Sequence, residues 1–406
     1  MEIFKQTNFD FLGRKWPFII LSLALTVAGL ASLWIKGGPK YGIDFTGGAL
    51  MDVNFIKRPP ADSIRSVLHR KISGEIEVQE ISGSQEVLIS TGARDERALQ
   101  NVRSDMIATL NEAYTTGAGG KLDINNVGQA ELADRLRDPL TRAGVSLSDD
   151  QLQTLAKAIA GYRDQHSGLI VNLNDLAAAP GVTPQVLNVV KQECFPGAFT
   201  IRSYDFVGPK IGADLRQQAI NVVLIALGAM LIYIAFRFEW IYGVAAVIAV
   251  FHDTIITIGL FSLLNKQIDL TVIAALLTLV GYSMNDTIVT FDRIRENLKL
   301  QVRGSFTHIV NLSINQTLSR TVLTSGLTFL TALSLFLFGG QVLNGFSLAL
   351  VIGIIIGTYS SIFIASPILI FWHDLAAGKA RKPRPPALDT RSGSIGKSVK
   401  TVKAVK

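Results

Sequence analysis

The sequence predicts an α-helical membrane protein with six transmembrane helices and one α+β domain exported between the first helix and the second. Three observations predict it. The chain of 406 residues is 49% hydrophobic and only 17% charged, where soluble domains carry about 25% charged residues. Six apolar runs, near 16–35, 218–236, 240–264, 270–292, 321–339 and 345–372, each approach or exceed the ~20 residues that span a bilayer core. A single long, mostly polar stretch, about 37–215, separates the first run from the rest.

Charge sets the orientation. The net charge of +7 comes from 39 Lys and Arg against 32 Asp and Glu, and much of it sits beside the apolar runs. Arg14 and Lys15, Arg237, the group Arg293, Arg295, Lys299 and Arg303, and the tail residues Lys379, Arg381, Lys382 and Arg384 all fall on one side. The turns between them, Asn265–Asp269 and Gly339–Gly345, hold one lysine. Basic residues in short loops stay cytoplasmic, so both termini are expected in the cytoplasm and the long region outside it. The first run ends in Trp34-Ile35-Lys36, which does not fit a small-residue cleavage site, so it reads as a retained helix rather than a signal peptide. The expected divisions are 1–36 for the N-terminal segment, with Phe4, Lys5, Phe9 and Phe11 at the interface, and the first helix. The exported domain takes 37–215, the other five helices 216–375, and a disordered basic tail 376–406. The lone Cys194 excludes an internal disulfide.

Within the exported region, residues Tyr41–Ile56 read as a strand, with Gly42, Asp44, Gly47 and Gly48 as structural positions marking close backbone approach or a bulge. A helix follows Asp62. Two short strands flank Ser82-Gly83-Ser84 as a hairpin, a helix covers about 94–114, and Phe199–Val207 alternates as a last strand. The order βαββα…β is that of a ferredoxin-like unit, interrupted by a mainly helical insertion at about 115–196. Inside it, Leu173–Leu187 has a helix, Pro-Gly turn, helix cadence. Such hairpins elsewhere contact DNA, but this turn lacks flanking basic residues and lies outside the cytoplasm, so packing is its expected role and no nucleic-acid partner is expected. Residues 301–320 have helical spacing and read as a cytoplasmic surface helix feeding into the next span.

The chemistry-bearing residues lie in the apolar runs. There is no phosphate-binding loop, and the histidines at 69, 166, 252, 308 and 373 are scattered, so neither ATP nor metal nor any other cofactor is expected. Asp286 is a carboxylate inside a span, costing about 2.5–3.5 kcal/mol on insertion scales, so it should face a partner or a polar path. Ser283 and Thr290 share its helix face, and Asn285 and Thr287 adjoin it. On the next span Arg320, Thr324, Thr328 and Thr331 recur as one polar stripe. Antiparallel helices entered from the same side bring Asp286 and Arg320 to similar depth, so a pair is expected. It is either a structural ion pair or a proton site that an arginine movement switches. His252 and Asp253, in another span, extend a relay or join helices by hydrogen bonds. Gly353 and Gly357 form a small-xxx-small face for close helix contact.

Several blocks then acquire a joint meaning: Tyr41–Gly48, Val207–Leu215, His252-Asp253, Gly281–Val289 with Phe291–Asn297, Arg320–Ser325 and Gly357–Ser361. In type and order they resemble the signature blocks of the SecF family. The resemblance implies a resistance-nodulation-division (RND) type membrane domain of six helices with a periplasmic ferredoxin-like domain after the first. It implies a non-enzymatic subunit of the bacterial inner membrane, working with SecD, the SecYEG channel and YajC. Such a subunit draws preproteins across on the proton gradient after SecA has pushed them. The family's transmembrane aspartate falls on Asp286 and its functional arginine on Arg320. The insertion at 115–196 is larger than the family's usual short exported domain. Two other classes compete: one half of an RND exporter of small molecules or lipids, and an intramembrane aspartyl protease built on Asp253 and Asp286. The second lacks the Gly-x-Gly-Asp stretch it would need.

Overall fold

The first helix, α1 (Lys15–Ile35), is apolar throughout and long enough to cross a bilayer. The computed structural model that shows it describes residues 7–380, apart from 73, 82, 83, 93–95, 116–118, 238, 239 and 341. Phe4, Lys5, the Ser82-Gly83 turn, the side chain of Lys379, and Arg381, Lys382 and Arg384 lie outside the described residues. Residues 7–14 strap onto a later helix. The Phe9 N–H donates to Asn315 Oδ1 at 2.8 Å, and its carbonyl accepts from the Asn311 and Asn315 side chains.

The expected strand over Tyr41–Ile56 starts later than its alternation suggested. Tyr41 makes one isolated parallel bridge to Ile268, a one-turn helix α2 (Ile43–Thr46) follows, and strand β1 runs only over Gly48–Phe55. The cause is a pair of glycines. Gly47 (φ +71°) and Gly48 (φ +139°) take backbone conformations that side-chain-bearing residues avoid. A Cβ on Gly48 would lie 2.1 Å from the Thr91 carbonyl oxygen, and one on Gly47 2.6 Å from Pro209 Cα. Asp44 Oδ2 accepts from the Leu270 N–H at 3.0 Å, fixing the start of the sheet unit to the first turn of a membrane helix.

After β1 come α3 (Ala61–Leu68), β2 (Ile76–Glu80), β3 (Glu86–Thr91) and α4 (Glu96–Tyr114). Strand β4 (Leu122–Asp123), helices α5 (Gln129–Arg142) and α6 (Asp149–Gln165), a 3₁₀ turn at Leu173–Ala178, α7 (Pro184–Glu193) and β5 (Cys194–Phe195) form the insertion. Strand β6 (Phe199–Val207) closes the main sheet, whose order is β2-β3-β1-β6 with every neighbouring pair antiparallel. That is the ferredoxin-like arrangement. Its core of Met51, Val53, Phe55, Leu68, Ile89 and Leu110 is separate from the insertion's core around Leu132, Leu136, Leu155, Ile159 and Val190. Asp123 and Asn125 fasten the two together. Asp123 Oδ1 accepts from the Asn125 and Gly197 N–H groups, and Asn125 bonds both backbone groups of Ile170 and the Gly197 carbonyl. The Leu173–Leu187 hairpin packs inward through Leu176 and Val186, in keeping with a packing role.

The remaining helices are α8 (Pro209–Arg237), α9 (Trp240–Leu263), α10 (Leu270–Lys299), α11 (Phe306–Phe338), α12 (Asn344–Ser360) and α13 (Ser366–Ala380). A π-turn at Ser361–Ala365 joins the last two, so that Asn344–Leu375 acts as one span and the described residues hold six helices able to cross a membrane. Pro367 lies just beyond the turn, and its missing N–H and its ring account for the widened backbone. The surface helix expected over 301–320 is continuous with its span, as the N-terminal part of α11. Helices α1 and α9 run parallel in a fixed register. Ser22 meets His252, Gly29 meets Gly259 and Ser32 meets Ser262, each pair 230 positions apart in sequence. A Cβ on Gly29 would sit 2.7 Å from Gly259 Cα, so the backbones touch.

Candidate functional site: a buried polar seam between the membrane helices

Among the described residues, two carboxylates are buried in the membrane helices, Asp253 at 1% exposure and Asp286 at 2%. Burying such groups is costly unless hydrogen bonds satisfy them, and the helices supply those bonds in two separate places.

Around Asp253, on α9, four helices converge. Its Oδ2 accepts from Ser283 Oγ of α10 at 2.5 Å and from Ser360 Oγ of α12 at 2.8 Å. Its Oδ1 lies 2.9 Å from Nδ1 of its neighbour His252. With Nδ1 donating there, His252 Nε2 is left as an acceptor, and Ser22 Oγ of α1 hydrogen-bonds to it. Tyr359 of α12 donates to Ser22 Oγ at 3.0 Å. The result is one hydrogen-bonded chain, Tyr359–Ser22–His252–Asp253–Ser283/Ser360, stitching α1, α9, α10 and α12. Ser360 sits next to the π-turn, where the backbone departs from regular helix.

Asp286, one turn along α10 from Ser283, has a different partner. Its Oδ2 accepts from Ser325 Oγ of α11 at 2.9 Å. The expected ion pair with Arg320 is absent: no Arg320 nitrogen lies within 4.0 Å of a carboxylate among the described residues, and Arg320 is exposed while remaining within electrostatic range of Asp286. The reason is helical phase. The stripe Arg320, Thr324, Thr328 faces outward, and the hydroxyls of Thr324, Thr328 and Thr331 bond to carbonyls of their own helix. The stripe one residue on, Thr321, Ser325 and Ala332, is the buried one. On α10, Thr287 and Thr290 are buried and donate to the Ser283 and Asp286 carbonyls, whereas Asn285 is exposed. Among the described residues no hydrogen bond joins Asp253 to Asp286; each carboxylate has its own hydroxyl donors, unlike a protease dyad.

The glycines set the spacing of the seam. A Cβ on Gly353 would lie 2.5 Å from the Leu279 side chain, and one on Gly357 3.0 Å from Ser283 Cβ, so the absence of side chains at these positions lets α12 pack closely on α10. Gly42 lies 3.4 Å, by the same measure, from Asp269 Cβ at the α10 N-cap. Ser22, Ser325, Tyr359 and Ser360 were not singled out from sequence. A serine or tyrosine in an apolar helix carries no signal until its partner helix is known.

Residues 186–375 match the family "Protein export membrane protein SecD/SecF, C-terminal". The chain is 48% identical to the protein translocase subunit SecF of Koribacter versatilis over 95% of this chain and 97% of that one. With the SecF of Rhodothermus marinus it shares 35% identity over 94% and 98%. This chain belongs to the SecF family of protein translocase subunits. Among solved structures it is similar to SecDF from Thermus thermophilus, a translocon-associated membrane protein, at 30% identity and a TM-score of 0.62. That likeness covers 91% of this chain but 39% of the other, so the SecF-family chain spans well under half of SecDF. Membership makes it a component of protein transport, and the RND-type membrane fold with an inserted ferredoxin-like unit agrees with the SecDF likeness.

Proposed function

We propose that this SecF-family chain couples the proton-motive force to preprotein export across the bacterial inner membrane, with SecD supplying the other half of the assembly. The observation that carries the reading is Asp286: a carboxylate 2% exposed in a membrane-spanning helix, accepting from the Ser325 hydroxyl and, among the described residues, not locked into an ion pair. A group so placed can exchange a proton, and Arg320, exposed but within electrostatic range, can respond to the change. Each charge moved across the membrane is worth about 2.3 kcal/mol per 100 mV, enough to drive a conformational step. Asp253 and His252 form the fixed point against which α10 and α12 work.

In this reading the basic loops and both termini are cytoplasmic, and the sheet unit with its insertion is periplasmic. The 37–215 region is then one exported domain, 216–375 a membrane domain and 376–406 a basic tail. The extent of SecDF not matched by this chain supports a SecD partner. The SecYEG channel, YajC and the SecA-driven preprotein are the further partners, and the work done is transport rather than chemical catalysis.

The test is export of a secreted reporter into inverted membrane vesicles carrying equal amounts of wild type, Asp286→Asn or Arg320→Met, with and without a proton gradient. Both variants lose the gradient-dependent part of export. Wild-type gradient dependence in Asp286→Asn overturns the proton-site reading.

A further inference from the structure

Tyr282, four residues before Asp286 on α10, has a buried hydroxyl that makes no hydrogen bond of acceptable geometry. Its surroundings are nevertheless polar: the hydroxyls of Ser325 and Thr328 on α11 and of Thr358 on α12 lie beside it. A buried hydroxyl without a partner costs about 1–3 kcal/mol, and most such groups in folded proteins find one. The neighbours' own bonds show what Tyr282 can reach. Thr328 donates to the Thr324 carbonyl and Thr358 to the Ile354 carbonyl, at 2.8 and 2.7 Å. Ser325 donates to Asp286 Oδ2. All three have spent their single O–H donor and keep lone pairs that accept. Tyr282 is therefore a donor facing three acceptors, one of which, Ser325, donates to the Asp286 carboxylate. On its other side Thr328 belongs to the exposed stripe of α11.

We infer that Tyr282 and Ser325 form a two-hydroxyl bridge through which Asp286 exchanges its proton with the exposed threonine stripe of α11. This rests on Asp286 being the proton site. In the inward step Thr328 Oγ1 takes a proton from a hydronium at the exposed face and turns its own from the Thr324 carbonyl to Tyr282 Oη, the Tyr282 proton passes to Ser325 Oγ, and the Ser325 proton passes to the Asp286 carboxylate. Every oxygen ends with its original number of protons except Asp286, which has gained one. Release runs the same bonds in reverse. A small turn of the Tyr282 hydroxyl from Thr328 or Thr358 toward Ser325 makes or breaks the bridge, without movement of either helix.

The experiment uses the full chain co-assembled with its SecD partner in proteoliposomes. Gradient-driven export is measured across pH in ordinary and heavy water for Tyr282→Phe, Ser325→Ala, Ser325→Thr and Asp286→Asn. Tyr282→Phe keeps the ring and removes only the hydroxyl. The bridge predicts a loss of about tenfold in gradient-driven rate, the size expected of one missing hydrogen bond, with a changed pH profile and solvent isotope effect. Ser325→Ala behaves alike, and Ser325→Thr retains the wild-type profile. If Tyr282→Phe and Ser325→Ala keep the wild-type rate, profile and isotope effect while Asp286→Asn loses gradient dependence, the bridge is wrong and the proton site stands. If Asp286→Asn also keeps gradient dependence, the proton-site reading fails and takes the bridge with it.

Discussion

Removing the Asp253 carboxylate should loosen the point where α1, α9, α10 and α12 meet. Asp253→Ala deletes three hydrogen bonds, from Ser283, Ser360 and His252, at 2.5, 2.8 and 2.9 Å. It also leaves two buried hydroxyls and a ring nitrogen to find new partners. Hydrogen bonds between membrane helices average about 0.6 kcal/mol and reach about 1.7, because the unfolded chain in a bilayer also finds partners. The two bonds that cross between helices then total about 1–3 kcal/mol, to which the His252 contact within α9 and the lost side-chain packing of so small a group add little. Asp253→Asn keeps the shape and one acceptor oxygen, so it loses about half as much. The assay is thermal unfolding of the detergent-solubilised full chain, with Ser360→Ala and the double variant completing a cycle. The cycle should give a coupling energy of about 0.5–1.7 kcal/mol between Asp253 and Ser360. Unfolding of Asp253→Ala at the wild-type temperature, with no coupling in the cycle, would mean that Asp253 does not hold these helices together.

The close α1–α9 crossing makes Gly259→Leu destabilising by about 1–3 kcal/mol or more, since even a Cβ there meets the Gly29 backbone at 2.7 Å; crosslinking of cysteines placed at the Ser32 and Ser262 pair would fall accordingly. In the sheet unit, burial, with Glu86 adding to it and Arg202 opposing it, raises Asp52 from 3.8 to about 6. A carboxyl whose folded value is raised binds its proton more tightly in the folded state, so its contribution is favourable below about pH 4 and is lost as pH rises through 6. Asp52→Asn should therefore slow hydrogen exchange in β1 and β6 above pH 6, by about 1–2 kcal/mol, and leave it unchanged near pH 4. Burial pushes the Cys194 thiol up to about 12, so alkylation at pH 8 should label the unfolded protein and leave the folded chain unmodified.

What the sequence made legible follows from the strength of each signal. Apolar runs of membrane-spanning length and the alternation of Phe199–Val207 are long, repeated patterns, and they place the spans and the closing strand well. The first strand was misjudged because one helical turn, Ile43–Thr46, is shorter than any periodicity can reveal, and the paired glycines that end it look alike in a bulge and in a turn. Asp286 was visible as a costly residue, but its partner was not. A shift of one residue on α11 separates the exposed stripe of Arg320 from the buried stripe of Ser325, and 3.6-residue spacing cannot choose between them when both carry hydroxyls. Ser22 and Ser360 were hidden for another reason. In an apolar helix a serine can always bond its own backbone, and here the decisive contacts reach across 230 and 107 positions in the chain. Only the parallel register of α1 and α9 turns Ser22, Gly29 and Ser32 into a pattern.

If Asp286 carries the proton, its replacement should abolish proton flux. With the full chain and its SecD partner in proteoliposomes under an imposed proton gradient, internal pH is followed for wild type, Asp286→Asn and Asp253→Asn at equal protein density. Wild type should show preprotein-dependent acidification, Asp286→Asn none above the empty-vesicle rate, and Asp253→Asn an effect no larger than its loss of stability. Flux through Asp286→Asn equal to wild type would contradict the proton-site reading.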